Sequence, residues 1–309
     1  MNLRNRTILI TGGTSGIGEE LARQLLARGN KVIITGRDAQ RIDDTRARLP
    51  GLHGVVSDAT DASAIAALHA EVTARFPELD VLVNNAGIMR MIDLSSPRPL
   101  ADLTGEIEVN LSAPLQMIQQ FLPHLRSRKD SAIVNVTSGL AFVPLTIAPV
   151  YSATKAGLHA YTRALRAQLE GSGVRIIELA PPAVDTPLAL AFEADTKGNR
   201  GMPVEELVRR AIAGIENGRE EIRPGLANVL KAMSRLAPEI IFRQLTRMMN
   251  EPELTTAHLP RATRRRDTHC ALESPAEVAL VGKAAGDGNC SDLAAYGQHL
   301  ASPRQSYRI

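Results

Sequence analysis

The sequence predicts an α/β fold, a doubly wound parallel sheet packed as the middle of three α/β/α layers, in a single domain with a helical C-terminal extension. Three observations predict it. Short, almost continuously apolar runs rich in Val and Ile recur through the first 180 residues, as strands covered on both faces must. Amphipathic stretches of about 10–20 residues separate them. A glycine-rich turn joins the first apolar run to the first amphipathic stretch.

The elements follow in order. Strands are expected at "TILIT" (7–11), "KVIIT" (31–35), "LHGVVS" (52–57), "DVLVN" (80–84), "AIVNVT" (132–137) and "VRIIELA" (174–180). Helices are expected at 17–28, 38–48, 61–75, 103–125 and 151–170. Strand, helix and strand repeated in this way make right-handed crossovers and a parallel sheet. Residues 186–203 hold Pro187, Gly198, Gly201 and Pro203 among mixed charges and read as a substrate loop. A helix at about 204–217 and a short last strand at "EEIRP" complete a catalytic domain over 1–225. Residues 226–250 form a basic amphipathic segment that Pro238 divides into two helices. Residues 251–309, with "RRR" at 264–266, little periodicity and several Pro and Gly, read as a disordered or loosely packed tail.

Composition narrows the function classes. The chain has 309 residues, 44% hydrophobic and 22% charged, with a net charge of only +3, which does not argue for nucleic acid. Its two cysteines, Cys270 and Cys290, lie in the last fifth, so the first 269 residues can hold neither a disulfide framework nor a CxxC metal site. The N-terminal apolar run is too short for a signal peptide, and no run approaches a membrane span, so a reducing, cytoplasmic setting is expected. The basic segment at 226–249 is expected to fold over its own substrate pocket or a partner subunit, the alternative being an interfacial membrane helix.

"TGGTSGIG" (11–18) ends a strand and opens a helix, the context that makes a glycine pattern a phosphate site. Gly12 allows the tight turn, Gly16 lets a pyrophosphate approach the backbone, and Gly18 lets helix and strand pack closely. With Thr14, Ser15 and Ile17 these are the candidate cofactor contacts, at a helix N-terminus whose free N–H groups attract anions. An NAD site places an acid about 20 residues beyond the glycines. Here Gly36 occupies that place, followed by Arg37, which can pair with a 2′-phosphate. NADP (NADPH) is therefore favoured over NAD, with Asp38 as a partial neutraliser of Arg37. Asp58, past the third strand, is placed to touch adenine or to cap the next helix, a role for which Asp61 competes.

Tyr151 and Lys155 are four residues apart and share a helix face, and Ser138 lies at the same C-terminal sheet edge, where ligands bind in open α/β sheets. Asn110, in the preceding long helix, can join them. Hydride transfer at a carbinol carbon needs a proton moved at its oxygen, and free tyrosine, with a pKa near 10, is a poor base. An ammonium about 5 Å away is worth roughly 3 kcal/mol, or about two pKa units, at an effective dielectric near 20. Lys155 and the positive charge of the oxidised nicotinamide together are thus expected to bring Tyr151 toward the working range, with Ser138 orienting the substrate oxygen and Asn110 holding a water that passes protons to Lys155.

With "TGGTSGIG", "NNAG" (84–87), Asn110, Ser138, "YSATK" (151–155) and "PPAVDT" (181–186) in this order, the chain resembles the classical short-chain dehydrogenases/reductases over about residues 5–225. "SGLAFVPLTIAPVYSATKAGLHAYT" looks like their DltE-like branch. The resemblance implies a Rossmann fold and an NAD(P)-dependent alcohol dehydrogenase or carbonyl reductase. It makes Tyr151 the acid/base, Lys155 its activator and ribose ligand, Ser138 the substrate-positioning group and Asn110 the fourth member. It puts Asn84, Ala86 and Gly87 on the adenine-ribose side, bracing the central strand. Pro181, Val184 and Thr186 fall at the nicotinamide, Thr186 together with the backbone at Val184 holding its carboxamide. Pro182 departs from the usual glycine. The family's C-terminal strand and "DGG" ending are absent after Gly225, which favours a homodimer through 103–125 and 151–170 over a tetramer. The expected substrate is a small carbonyl or alcohol with an apolar body, near Leu140, Ala141, Val143, Leu145 and the 187–203 loop, with Arg90 the one candidate charged anchor. The alternative is a non-catalytic NADP-sensing protein on the same fold.

Overall fold

Seven strands form one sheet in the computed structural model, which describes residues 1–190 and 201–250. They are β1 (Thr7–Thr11), β2 (Lys31–Gly36), β3 (His53–Val56), β4 (Leu79–Asn84), β5 (Ser131–Val136), β6 (Val174–Leu179) and β7 (Glu221–Ile222). Every pairing is parallel, in the order β3-β2-β1-β4-β5-β6-β7. The order reverses between β1 and β4, and this switch point opens a crevice at the carboxyl ends of the strands.

The helices are α1 (Gly16–Leu26), α2 (Ala39–Arg48), α3 (Ala62–Arg75), α4 (Leu100–Ile107), α5 (Ala113–Arg126), α6 (Pro149–Gln168), α7 (Pro187–Leu190), α8 (Val204–Glu216), α9 (Leu226–Leu236) and α10 (Pro238–Asn250). Successive strand side chains alternate between faces. Ile8, Ile10, Ile34 and Val83 therefore meet Leu21 and Leu25 of α1 and Leu207 and Ile212 of α8. Leu9, Ile33, Leu82 and Ile133 meet Val72 of α3, Phe121 and Leu125 of α5 and Leu165 of α6 on the other face. Both faces are covered, which is why the strands read as unbroken apolar runs.

The last strand falls inside the expected "EEIRP" and is two residues long. One element differs from expectation. The helix expected at 103–125 begins at Leu100 and carries a π-helical turn, Glu108–Ser112, between α4 and α5. Pro114 supplies a physical reason, because it removes the N–H that would bond the Asn110 carbonyl in an α-helix.

The compact unit runs from Met1 to Glu253, so α9 and α10 belong with the sheet. Leu230 of α9 and Ile241 of α10 bury against Val143, and the Lys231 ammonium lies 4.6 Å from the centre of the Phe142 ring. Among the described residues no helix is long and apolar enough to cross a membrane. Residues 191–200 of the expected substrate loop and the tail at 251–309 lie outside the described residues.

Candidate active site

A cleft of about 790 Å³ lies along the carboxyl ends of β1 to β6. Each strand feeds it with the turn that follows, so residues scattered from Gly12 to Thr186 share one wall system.

The glycine loop lies at its base. Gly12 adopts φ +65, and a Cβ there would come within 2.8 Å of the Ala86 Cα. A Cβ at Gly18 would sit 2.3 Å from the Gly12 carbonyl oxygen, so the close packing of α1 on the strand end requires glycine. Ser15 stands at the N-cap of α1 with no side-chain bond to the first turn, and Thr14, Ser15, Gly16 and Ile17 all face the cleft. The helix thus opens into the cleft with its first N–H groups unspent by a cap.

Arg37 follows β2 at the cleft mouth, beside Asp38 and Arg41. The Asp38 carboxylate is engaged as the N-cap of α2, accepting from the Arg41 N–H at 3.2 Å. Among the described residues neither the Arg37 nor the Arg41 guanidinium has an acidic partner within bonding distance. Arg41 is a second cation at this edge that sequence reasoning missed, although its spacing from Arg37, one helical turn, was readable. Asp58 also lines the mouth, its Oδ1 accepting from the Thr60 N–H and hydroxyl at 2.9 and 2.8 Å. Those two bonds, with a smaller contribution from the charge of Arg37, hold its carboxyl below the usual range. The cap of α3 is Asp61, not Asp58. The Ser57 hydroxyl next to it lines the cleft, buried and without a protein partner. An orphaned hydroxyl, an uncapped helix start and two unpaired cations around one long cleft fit a phosphorylated dinucleotide.

At the end of β4 the structure corrects one expectation. Asn84 does not reach the cleft. It is buried in the sheet, its Nδ2 donating to Asn135 Oδ1 at 2.9 Å, and Asn135 in turn donates to Thr162 of α6. The cleft residue is Asn85, whose Nδ2 donates to the carbonyls of Thr11 and Gly12, both at 3.0 Å. Ala86 and Gly87 line the cleft beside it. One residue along a strand end changes face, so adjacent asparagines could not be separated from sequence alone.

Asn110 sits in the π-turn, wholly buried. Its Oδ1 accepts from the Ile88 N–H at 2.8 Å, and its Nδ2 donates to the Ile88 carbonyl at 2.7 Å and to Thr154 Oγ1 at 3.3 Å. The side chain is therefore spent on structure. A Cβ at Gly87 would meet Asn110 Oδ1 at 3.2 Å and Lys155 Nζ at 3.5 Å, which puts both groups beside that glycine.

Tyr151 and Lys155 lie in the first turns of α6, which Pro149 opens. Both are buried, at 8% and 4% exposure, and both line the cleft with Ser138. Lys155 Nζ donates to the Val136 carbonyl at 2.9 Å and stands 5.6 Å from the centre of the Tyr151 ring. Ser138 Oγ accepts from the Leu140 N–H at 3.1 Å, leaving its own O–H to donate. The strand end that carries Ser138 is tied to α6 through Glu178, which accepts from the Thr137 hydroxyl at 2.6 Å and from His159 at 2.8 Å.

The polypeptide alone does not produce the lowering of Tyr151 expected from Lys155 and the oxidised nicotinamide together. Burial pushes the phenol up to about 12, the Ser138 hydroxyl pulls it back in part, and Glu106 adds to the rise. Burial lowers Lys155 to about 8. Desolvation, the leading cause at both groups, penalises both charged forms.

Pro181, Pro182, Val184 and Thr186 line the far wall. Thr186 Oγ1 donates to the Val184 carbonyl at 3.4 Å, and a Cβ at Gly16 would meet Thr186 at 3.4 Å, so this segment closes over the glycine loop. Of the four side chains expected near the substrate, Leu140 and Leu145 line the cleft, Ala141 does not, and Val143 packs into the core beneath α9 and α10. Val109, Met89, Leu230 and Leu245 replace it, brought in by elements whose docking no local pattern reveals. Arg90 is no free anchor, because its guanidinium binds the Asp102 carboxylate and main-chain carbonyl.

Known proteins share this architecture. The profile of the family described as short chain dehydrogenase matches residues 6–197. An uncharacterized oxidoreductase of Bacillus subtilis, DltE, is 42% identical over 253 residues, 81% of this chain and 100% of its own length. The crystal structure of a short chain dehydrogenase from Burkholderia cenocepacia in complex with NADP is 28% identical with a TM-score of 0.70, over 79% of this chain and 99% of that one. A 3-ketoacyl-(acyl-carrier-protein) reductase from Brucella melitensis complexed with NADH is 27% identical with a TM-score of 0.63, over 69% of this chain and 91% of that one. With its motifs gathered along one cleft and the profile covering most of the sheet, the chain belongs to the short-chain dehydrogenase family, in its DltE-like branch, and is an oxidoreductase.

Proposed function

We propose that the chain is an NADP-dependent carbonyl reductase and alcohol dehydrogenase acting on a small substrate with an apolar body. One observation carries this reading: Ser138, Tyr151 and Lys155 line the same cleft as the apolar side chains of Met89, Val109, Leu140, Leu145, Leu230 and Leu245. Such a wall takes an alkyl or aryl body, and the two hydroxyls take its carbonyl oxygen. The nicotinamide supplies or accepts the hydride.

The residues do the rest. The Ser138 O–H, held in place by the Leu140 N–H that its oxygen accepts, orients the substrate oxygen. The Tyr151 phenol, kept neutral by burial, gives that oxygen its proton in reduction. The Lys155 ammonium stabilises the phenolate left behind, and its two remaining N–H groups suit ribose hydroxyls. Gly12 to Gly18, with the start of α1, hold the pyrophosphate, Asp58 and Ser57 border the adenine end, and Pro181 to Thr186 close on the nicotinamide. Arg37 and Arg41 supply the charge that favours a 2′-phosphate.

The test is initial-rate kinetics with NADPH and NADH on linear aldehydes and ketones of increasing chain length, with charged carbonyls as controls. Faster turnover with NADPH, rising with chain length and absent for charged analogues, supports the reading. Tight NADPH binding without turnover of any carbonyl favours a cofactor-sensing protein instead.

A further inference from the structure

The chain between β4 and α4 is irregular, yet Ile88 and Met89 form a wall of the cleft. Irregular backbone that is partly buried, as here, needs partners for its polar groups, and no strand supplies them. Two side chains of the long helix do. Asn110 holds the N–H and the carbonyl of Ile88. Glu106, four residues earlier and likewise wholly buried, accepts from the Arg90 N–H through Oε1 at 2.6 Å. One helical turn, about 5.4 Å, nearly matches two residues of extended chain, about 6.6 Å, so the two side chains act as successive rungs of a ladder. The lower rung continues through Thr154, whose hydroxyl donates to the Tyr151 main-chain carbonyl at 2.7 Å, so the wall and the backbone that carries the phenol share one network.

Glu106 is costly as a packing residue. Its Oε2 is buried without a hydrogen-bond partner, and burial pushes its carboxyl up despite the Arg90 N–H and the Arg90 charge, with Asp102 adding to the rise. A leucine would fill the space without that cost.

We propose that Glu106 is a positioning residue, paired with Asn110, that fixes the Ile88–Arg90 wall and thereby the place of the substrate carbonyl opposite Tyr151. The kinetic consequence rests on the oxidoreductase reading above, but the clamp itself does not.

The test compares full-length wild type with Glu106→Gln, which keeps an acceptor oxygen, and Glu106→Met, which keeps the length and loses the acceptor. Three quantities are read: NADPH affinity, kcat and KM for a carbonyl substrate, and hydrogen exchange of the Arg90 amide. Glu106→Met is expected to lose about tenfold or more in kcat/KM, to bind NADPH within about twofold of wild type, and to exchange the Arg90 amide about tenfold faster. Glu106→Gln is expected to restore both properties to within about threefold of wild type. Wild-type kinetics and exchange in Glu106→Met would overturn the proposal, and so would a Glu106→Gln chain as impaired as Glu106→Met. Should Glu106→Met fail to fold, the other two chains decide: slow Arg90 exchange in both supports the clamp, and fast exchange in wild type overturns it. Slow exchange without turnover of any carbonyl supports the clamp while contradicting the proposed function, so the two failures are distinct.

Discussion

Lys155 Nζ lies 5.6 Å from the centre of the Tyr151 ring while its hydrogen bond goes to the main-chain oxygen of Val136. The strand thus fixes the cation beneath the phenol. Both groups are dry, and each is held toward its neutral form, the phenol near 12 and the amine near 8.

This pairing sets the pH behaviour of the two reaction directions. A neutral phenol is the proton donor that reduction needs, whereas oxidation needs the phenolate. Alcohol oxidation should therefore accelerate from roughly pH 6 to pH 10, while carbonyl reduction gains nothing over that range. Initial rates in both directions across the range are the measurement. Oxidation already independent of pH at neutrality would mean that the phenol ionises far more easily than its burial implies.

The buried ammonium also weakens the fold. Its folded value near 8 lies below the ordinary 10.5, so between these values the unfolded chain binds more protons. Stability is then fully present above about 10.5 and is lost as pH falls toward 8. Lys155→Met should abolish this dependence, removing a penalty on the order of 3 kcal/mol at neutral pH, set against the lost bond to Val136. Urea unfolding of both chains between pH 7 and pH 10 checks it. Parallel pH dependences would show that the ammonium is not desolvated.

Arg37 is exposed, so its share of cofactor choice is screened and modest. Arg37→Ala should raise KM for NADPH about tenfold and leave KM for NADH nearly unchanged, with a larger effect when Arg41 is also replaced. Equal changes for both cofactors would remove the basis for the NADP preference.

Much of this was legible in the chain because the signals are local. Unbroken Val- and Ile-rich runs mark β1 to β6, and Tyr151 and Lys155 declare their shared face by spacing alone. Asn110 was legible as a candidate, but the π-turn that carries it was missed, although Pro114 four residues on was a sign of it. The rise of the Tyr151 phenol in the polypeptide alone was not legible, because proximity in sequence reports the attraction of Lys155 and not the desolvation of both groups. Glu106, Asn85 and the α9–α10 wall of the cleft depend on long-range docking, to which periodicity is blind.

The most direct measurement of the central claim is NADPH consumption with an apolar ketone by wild type and Tyr151→Phe, with cofactor affinity determined on the same preparations. The account predicts that the substitution lowers turnover by a factor on the order of 10² to 10⁴ while NADPH affinity changes by less than about threefold. A Tyr151→Phe chain that reduces the ketone at the wild-type rate would contradict it.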